Sequence, residues 1–499
     1  MAKIDYADSV RQPARSRGWR WLALMMLAAG GFSLSPAEAR PEVSAVSEQA
    51  GTPATELASS LALREPDSVR LLYRLRGGVP IWVNGSGLNP SGSRLLDFLS
   101  RTWEHGLDPG YYHVATIRAL LAQQTPPWRQ VEALLSDGYI ALAQDFSFGV
   151  AERDPARFDR ALRDWRAGPV YDLVALRANG EPVARLRERL PADSEYWALV
   201  EVLRHRPTLS GDSIRLLAVN LDRRRDRRSE PAGAYLRVNI PSQKLEYIRD
   251  GRTVAQMKVI VGRPDRPTPL VGGQIDTVVF NPAWNVPRSI AIRDKLPKIR
   301  ANPDYLADNG YLLKAGWSAD AAVVDPAGVD WSQINAANFD FALQQQPGPG
   351  NALGQVKFLF PNEHSVYLHD TANPELFARE RRLFSSGCVR LERPMELARL
   401  LLREEGWDQE RLGVVERARA EEWVRLSRPV PVVFEYRTAW IDDAGQLQIT
   451  EDVYGRDARA ALALGRQGRL PAVHRAAAEP AVPGTGVSGG TELAALGGQ

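Results

Sequence analysis

Cysteine is the residue this chain nearly does without: Cys388 is the only one in 499 residues. A lone thiol cannot close an intramolecular disulfide, so stability has to come from packing. Histidine is scarce too, with six in all. His364 and His369 find no convincing third ligand, which counts against a metal hydrolase. Neither sign of charge dominates, since 63 Lys and Arg stand against 60 Asp and Glu, and a net charge of +3 is no nucleic-acid signature. The arginine-rich run from Arg223 to Arg228 is interrupted by Asp226 and has no interleaved aromatics. It reads as a solvated helix end connecting two parts of the chain. Long apolar runs are missing as well: Trp21 to Leu34 falls short of the roughly 20 residues that a spanning helix needs.

That short run is nonetheless informative, because Arg11, Arg15, Arg17 and Arg20 precede it and Ala37-Glu-Ala39 follows it with the small-x-small pattern of a cleavage site. Residues 1–39 read as a cleaved secretory signal, with a retained membrane anchor as the alternative. Export would expose an isolated thiol to oxidation, so chemistry explains Cys388 better than packing does. Residues 40–59 are rich in Pro, Ala, Ser, Glu and Thr and read as a flexible linker.

Across 60–228 the apolar residues fall three and four apart, as in Ser93–Trp103 and Val131–Ala143, which predicts a helical domain. From Ala234 the period changes to two. Tyr235–Ile240, Lys244–Ile248 and Thr253–Val261 read as antiparallel strands, the last two joined at Arg249-Asp-Gly251. The β part is expected to span 229–464, interrupted by a mixed, polar insertion at 288–350. Pro429–Trp440 and Leu447–Thr450 look like a final hairpin. Residues 465–499, with His474, lose periodicity and are expected to be disordered.

The chemistry-bearing stretch runs from Phe358 to Leu391. Cys388 follows the polar turn Ser385-Ser386-Gly387, and His369 lies 19 positions upstream. If His364–His369 is a strand, Val366 and Leu368 face one side while Tyr367 and His369 face the other. His369 would then end the strand with its ring outside the core. A glycine before the thiol lets backbone N–H groups near Gly387 and Cys388 converge on an oxyanion. Arg390 would share the cysteine's face, favouring thiolate or holding a carboxylate. Asp370 should point away from His369, leaving a backbone carbonyl to orient the ring. Spacing alone leaves two readings open, a catalytic thiol or a small buried hydrophobe.

The string His369-Asp-Thr, then Leu376-Phe377, then Ser385-Ser-Gly-Cys-Val-Arg390 resembles the catalytic signature of the L,D-transpeptidases (YkuD-type). It is most similar to their large, YcbB-like periplasmic branch. Trp82–Gly87 and Gly106–His113 resemble the helical scaffold of that branch. Gly262–Pro269, Asn281–Pro287 and Tyr454-Gly-Arg-Asp457 resemble parts of its catalytic fold. The Asp-Gly-x-x-Gly-x-x-Thr run of a peptidoglycan-binding module has no convincing copy here.

The resemblance implies an α+β multidomain fold, a helical scaffold domain followed by a mostly antiparallel β catalytic domain with an inserted capping segment, and no cofactor. It implies Cys388 as nucleophile and His369 as base. Gly387, Ser386 and Tyr367 would serve the oxyanion or the substrate, and Arg390 and Trp284 would contact substrate, although Trp284 could equally be core. The implied partners are peptidoglycan stem peptides, other cell-wall synthases and carbapenem inhibitors, in the periplasm. Transfer to a side-chain amine would give 3-3 cross-links. Transfer to water would make a carboxypeptidase, and transfer to a lipoprotein lysine an anchoring enzyme. A noncatalytic wall-binding scaffold is a separate alternative. A papain-like hydrolase places its cysteine before its histidine, the reverse of the order here.

Overall fold

The three-and-four spacing of the first half produces a helical body. The computed structural model describes residues 61–471 apart from 86, 152–167, 177–180, 206–208, 226–230, 319, 419 and 443. Its helices are α1 (Pro66–Leu75), α2 (Pro90–Ser100), α3 (Val114–Leu121), α4 (Trp128–Phe148), α5 (Gly168–Val174), α6 (Pro182–Arg187), α7 (Ser194–Arg204) and α8 (Gly211–Arg224). A two-residue hairpin, β1 (Val83–Asn84) with β2 (Gly87–Leu88), lies between α1 and α2. α4 is the central element, buried continuously from Val131 to Phe146. A helix surrounded on all sides must satisfy its polar groups internally. Glu132 does so by accepting the backbone N–H groups of Ile81, Trp82 and Val83, and Asp137 by accepting those of Arg64 and Glu65. Buried carboxylates on α4 thus hold the surrounding loops in place.

The change to period two yields the catalytic half. Its strands are β3 (Tyr235–Asn239), β4 (Lys244–Arg249), β5 (Arg252–Gly262), β6 (Gly272–Phe280), β7 (Trp284–Asn285), β8 (Tyr311–Lys314), β9 (Val323–Val324), β10 (Ala342–Gln345), β11 (Val356–Leu359), β12 (Leu368–His369), β13 (Leu383–Ser385), β14 (Val389–Leu391), β15 (Glu422–Glu435), β16 (Ala439–Ile441) and β17 (Leu447–Ile449). The main sheet runs β13-β5-β14-β12-β11-β6-β15-β3-β4, and β4 also pairs with β5. That last pairing closes eight of the strands into a ring, which removes exposed edges. Most pairs are antiparallel, but β12–β14, β13–β5 and β15–β3 are parallel. One face carries Val278, Phe280, Val356, Phe358, Val389 and Leu391 into a core shared with helix α9 (Pro394–Leu402). The β4–β5 turn has Asp250 at φ 52° and Gly251 at φ 73°, the paired positive values of a tight hairpin.

The insertion is a small folded unit rather than a polar loop. β7, β10, β8 and β9 form a separate antiparallel sheet over a core of Trp284, Tyr311, Trp331, Phe339 and Leu343. Because β7 begins at Trp284, this cap starts a few residues earlier than 288. Trp284 is packed inside that core, with Lys295 Nζ 5.1 Å from its ring centre. The structure therefore places it as a cap core residue rather than a group open to substrate.

Three expectations are corrected where the halves meet. Arg223–Arg225 are not a solvated helix end. Arg223 pairs with Asp457 at 2.5 Å, Arg224 with Asp193 and Glu195, and the fully buried Arg225 with Asp222. Burial selects arginine here because its fork of donors can reach several acceptors at once. The expected last hairpin is two things: Val430–Glu435 belongs to β15 in the main sheet, and only β16 and β17 form the hairpin. Ala439 of that hairpin is buried in the core of the helical body, with Ile441 and Leu447 packed on it. The ordered chain also passes 464. Helix α10 (Arg456–Arg466) packs Ala460 and Leu464 against Val150 and Val219, and Arg469 pairs with the buried Asp145 at 2.7 Å. Residues 1–60 and 472–499, including the signal, the linker and His474, lie outside the described residues.

Candidate active site

Asn362 decides how the chain enters the site. Its Oδ1 accepts from the N–H groups of His364 and Val366, its Nδ2 donates to the carbonyls of Phe360 and Val366, and Ser365 is held at φ 53°. This is a side-chain-organised turn. The strand expected from His364 therefore shrinks to Leu368–His369, while the alternation survives: Val366 and Leu368 enter the barrel core, and Tyr367 packs on the cap core with its ring 5.6 Å from that of His369.

His369 is buried rather than merely outside the core. Its Nδ1 lies 2.5 Å from the carbonyl oxygen of Asp370. A carbonyl can only accept, so Nδ1 carries the hydrogen and Nε2 keeps its lone pair. The Asp370 carboxylate is turned away and accepts the N–H groups of Gln355 and Thr371. Gly354, at φ 63°, permits this, since a Cβ there would sit 2.3 Å from the Asp370 carboxyl carbon. Burial, reinforced by Arg390 and Lys357, pushes the imidazole down to about 3.

β14 lies beside β12 in parallel register, Leu368 opposite Val389 and His369 opposite Arg390. Cys388 immediately precedes β14, and the Tyr367 backbone N–H reaches its sulfur. Burial pushes the thiol up to about 11, against the opposing pull of that N–H and of Arg390. Arg390 does favour the thiolate, as expected, but desolvation outweighs it. Nucleophile and base are both neutral at rest.

The turn before Cys388 is held from beneath. Gly387 has φ 122°, a region closed to other residues. Its N–H donates to Ser385 Oγ, and Ser385 Oγ donates to the Cys388 carbonyl. The Gly387 N–H is thus already engaged, whereas the Cys388 N–H, expected beside it as an oxyanion donor, makes no hydrogen bond among the described residues. Ser386 is exposed, and its Oγ accepts from Arg266, whose other hydrogen bonds go to Asp294 of the cap at 2.6 and 2.9 Å. Arg390 has an Nε with no hydrogen-bond partner, and burial pushes its guanidinium down. No carboxylate among the described residues pairs with it.

Two supports escaped sequence reading. Thr268 Oγ1 donates to the Gly387 carbonyl and accepts the Gly262 N–H, while Tyr454 OH donates to the Gly262 carbonyl. Thr268→Val should destabilise the protein by about 1–3 kcal/mol in a urea titration, because the isosteric change leaves a buried N–H and a buried carbonyl unpaired. Lys357, directly opposite His369 on β11, was also missed. It lay in a strand read only for its apolar residues.

Residues 233–425 match the family model described as the L,D-transpeptidase catalytic domain, YkuD, and residues 67–203 match that of the Scaffold domain. A Haemophilus influenzae protein named "Putative L,D-transpeptidase" is 40% identical over 226 residues, 45% of each chain. The match thus spans less than half the length of that relative. An L,D-transpeptidase structure from Mycobacterium smegmatis overlaps 40% of this chain and 58% of its own, at 11% identity and a TM-score of 0.19. The structure titled "Structure of the Ldtfm-avibactam carbamoyl enzyme" overlaps 41% of this chain and 49% of its own, at 10% identity and 0.18. Overlaps that slight do not bear on the fold. With a helical body over the first matched span and the β-rich ring with its cysteine and histidine over the second, the chain carries a Scaffold domain joined to a YkuD L,D-transpeptidase catalytic domain.

Proposed function

We propose that this protein is a cysteine-dependent L,D-transpeptidase that joins peptidoglycan stem peptides by 3-3 cross-links in the periplasm. The observation that carries the reading is the pairing of β12 with β14, which sets His369 and Arg390 side by side next to Cys388. Arg390, a buried cation without a carboxylate partner among the described residues, suits the carboxylate of a peptide donor.

In this mechanism Cys388 Sγ attacks the carbonyl after the third residue of a tetrapeptide stem as His369 Nε2 takes the thiol proton. The Cys388 N–H, with Tyr367 beside it, stabilises the oxyanion. Collapse breaks the C–N bond, the proton passes from His369 to the leaving D-alanine, and a thioester remains. An amine of a second stem then attacks the thioester, giving its proton to the same nitrogen, and the thiol is regenerated. Proton transfer in step with attack is what a thiol held at about 11 beside an imidazole held at about 3 requires. A folded cap fits this chemistry, because excluding water protects the thioester until an amine arrives.

The test is mass spectrometry of the protein and its Cys388→Ala variant, each incubated with disaccharide-tetrapeptide and then separately with a carbapenem. A cross-linked dimer lighter by one D-alanine, with a drug adduct absent from the variant, is the expected outcome. Tripeptide without dimer would replace cross-linking by carboxypeptidase activity. Neither product nor adduct would overturn the enzyme reading in favour of a wall-binding scaffold.

A further inference from the structure

The strand register places a continuous row of side chains on the face of the ring that does not enter its core. Ile260 of β5 lies opposite Arg390, Arg390 opposite His369, His369 opposite Lys357, Lys357 opposite Val279, and Val279 opposite Trp423 of β15. Residues directly opposed in a sheet project to the same side. The residues flanking the row, Val278, Phe280, Val356, Phe358 and Val389, go the other way into the core. The imidazole therefore sits between two residues that carry cations, Arg390 on the cysteine's strand and Lys357 on the opposite strand, the strands being about 5 Å apart.

Lys357 has no role in the chemistry described so far. It is nine-tenths buried, and Trp423 lies over it with Nζ 5.0 Å from the ring centre. The ammonium makes no hydrogen bond or ion pair among the described residues. Glu421 is the carboxylate whose field reaches it, and one oxygen of Glu421 is committed to the Ala283 N–H at the neck of the cap. Trp423 itself is 59% exposed, an unusual position for an indole in an otherwise packed sheet. An indole facing solvent above a buried cation makes a half-built site: a flat apolar wall beside an ammonium with N–H groups to give.

We propose that Lys357, roofed by Trp423, anchors the acceptor by binding the carboxylate of an α-amino carboxylate, the amine on the same carbon being the one that attacks the thioester. This rests on the transferase reading above and names the residues that would hold the acceptor of that reaction. The donor is bonded to Cys388 on the Arg390 side of the row. The entering amine has to surrender its proton to the same Nε2, and the cation on the free side of His369 is Lys357. A carboxylate held at Nζ brings an amine on the adjacent carbon to the Lys357 side of the imidazole, His369 being the next residue in the row. The amine nitrogen forms the new C–N bond, the C–S bond breaks, and the proton passes through His369 to the sulfur.

The test uses the full protein, a tetrapeptide donor, and two synthetic tripeptide acceptors. These differ only in bearing a carboxylate or a carboxamide on the carbon that carries the attacking amine. Wild-type protein is expected to prefer the carboxylate acceptor by about tenfold in kcat/KM, the scale of one charge-assisted hydrogen bond. Lys357→Gln should erase that preference by raising KM for the carboxylate acceptor while donor KM shifts less than about twofold, and Lys357→Arg should restore it. Trp423→Ala, at an exposed position, should raise KM for the carboxylate acceptor by about threefold and serves if Lys357→Gln does not fold. An undiminished preference in Lys357→Gln, equal slowing of both acceptors, or an unchanged acceptor KM in Trp423→Ala would overturn the assignment. If wild-type protein forms a thioester but joins neither acceptor, the acceptor assignment falls and the acyl-enzyme stands. If it forms no thioester, the transferase reading falls and takes the assignment with it.

Discussion

His369→Ala is expected to slow acylation of Cys388 by about a hundred- to ten-thousandfold at neutral pH, the usual worth of a positioned base. The pH dependence should separate this from a folding defect. Burial, then Arg390 and Lys357, keep the wild-type imidazole neutral down to about pH 3. Burial also keeps the thiol protonated up to about 11. Between roughly pH 5 and 9 neither group changes state, so wild-type acylation by a carbapenem should be nearly flat, without the limb near 6.5 that an exposed histidine would give. Without the base only pre-formed thiolate reacts. The variant's rate should then climb about tenfold per pH unit toward the thiol's own titration. Acylation followed by mass at each pH is the measurement. A wild-type limb near 6.5 would show that the imidazole is not shielded in the reacting state.

Glu195→Ala should cost about 1.5–3 kcal/mol of stability, the scale of hydrogen bonds between charged groups. Glu195 lies on α7 between the halves, with Arg224 at 2.7 Å, Arg437 at 2.7 Å and Arg237 at 3.3 Å. Removing it leaves three guanidinium groups close together, each with one other carboxylate: Asp193 for Arg224, Glu246 for Arg237 and Glu435 for Arg437. Burial on its own would raise the carboxyl, but Arg437, Arg224 and Arg237 together hold it down at about 2. A folded pKa below the unfolded value contributes stability above the unfolded value, near 4.5, and loses it as pH falls through the folded one. Wild-type protein should therefore weaken between about pH 5 and 2 more steeply than Glu195→Gln, which has no proton to gain. Urea titrations of the three proteins across that range would show it.

The parts of the chain legible beforehand were those where local pattern decides. The helical spacing before residue 225 and the two-residue alternation of β3, β4 and β5 are written in the side chains themselves. The parity of Val366, Tyr367, Leu368 and His369 held although the strand did not, because Asn362 turns the chain through a side-chain network that hydropathy does not encode. A backbone carbonyl was expected to orient His369, and the structure supplies that of Asp370. What failed depended on distant partners. Arg223, Arg224 and Arg225 look like a hydrophilic run until Asp457, Glu195 and Asp222 are brought to them. Trp284 divided evenly between core and substrate contact until the cap closed around it. Lys357 could not be singled out because its neighbours in the row come from five other strands.

The return of the chain's end to its beginning has a consequence for the order of folding. Asp145, in the last turn of α4, waits for Arg469, which is synthesised 324 positions later, and Ala439 is part of the helical core although it comes from the far end of the chain. The part of the protein that emerges first is thus among the last to be completed. A nascent helical half lacks its final wedge and keeps a buried carboxylate without its counter-charge, so it stays loosely packed until the whole polypeptide is available.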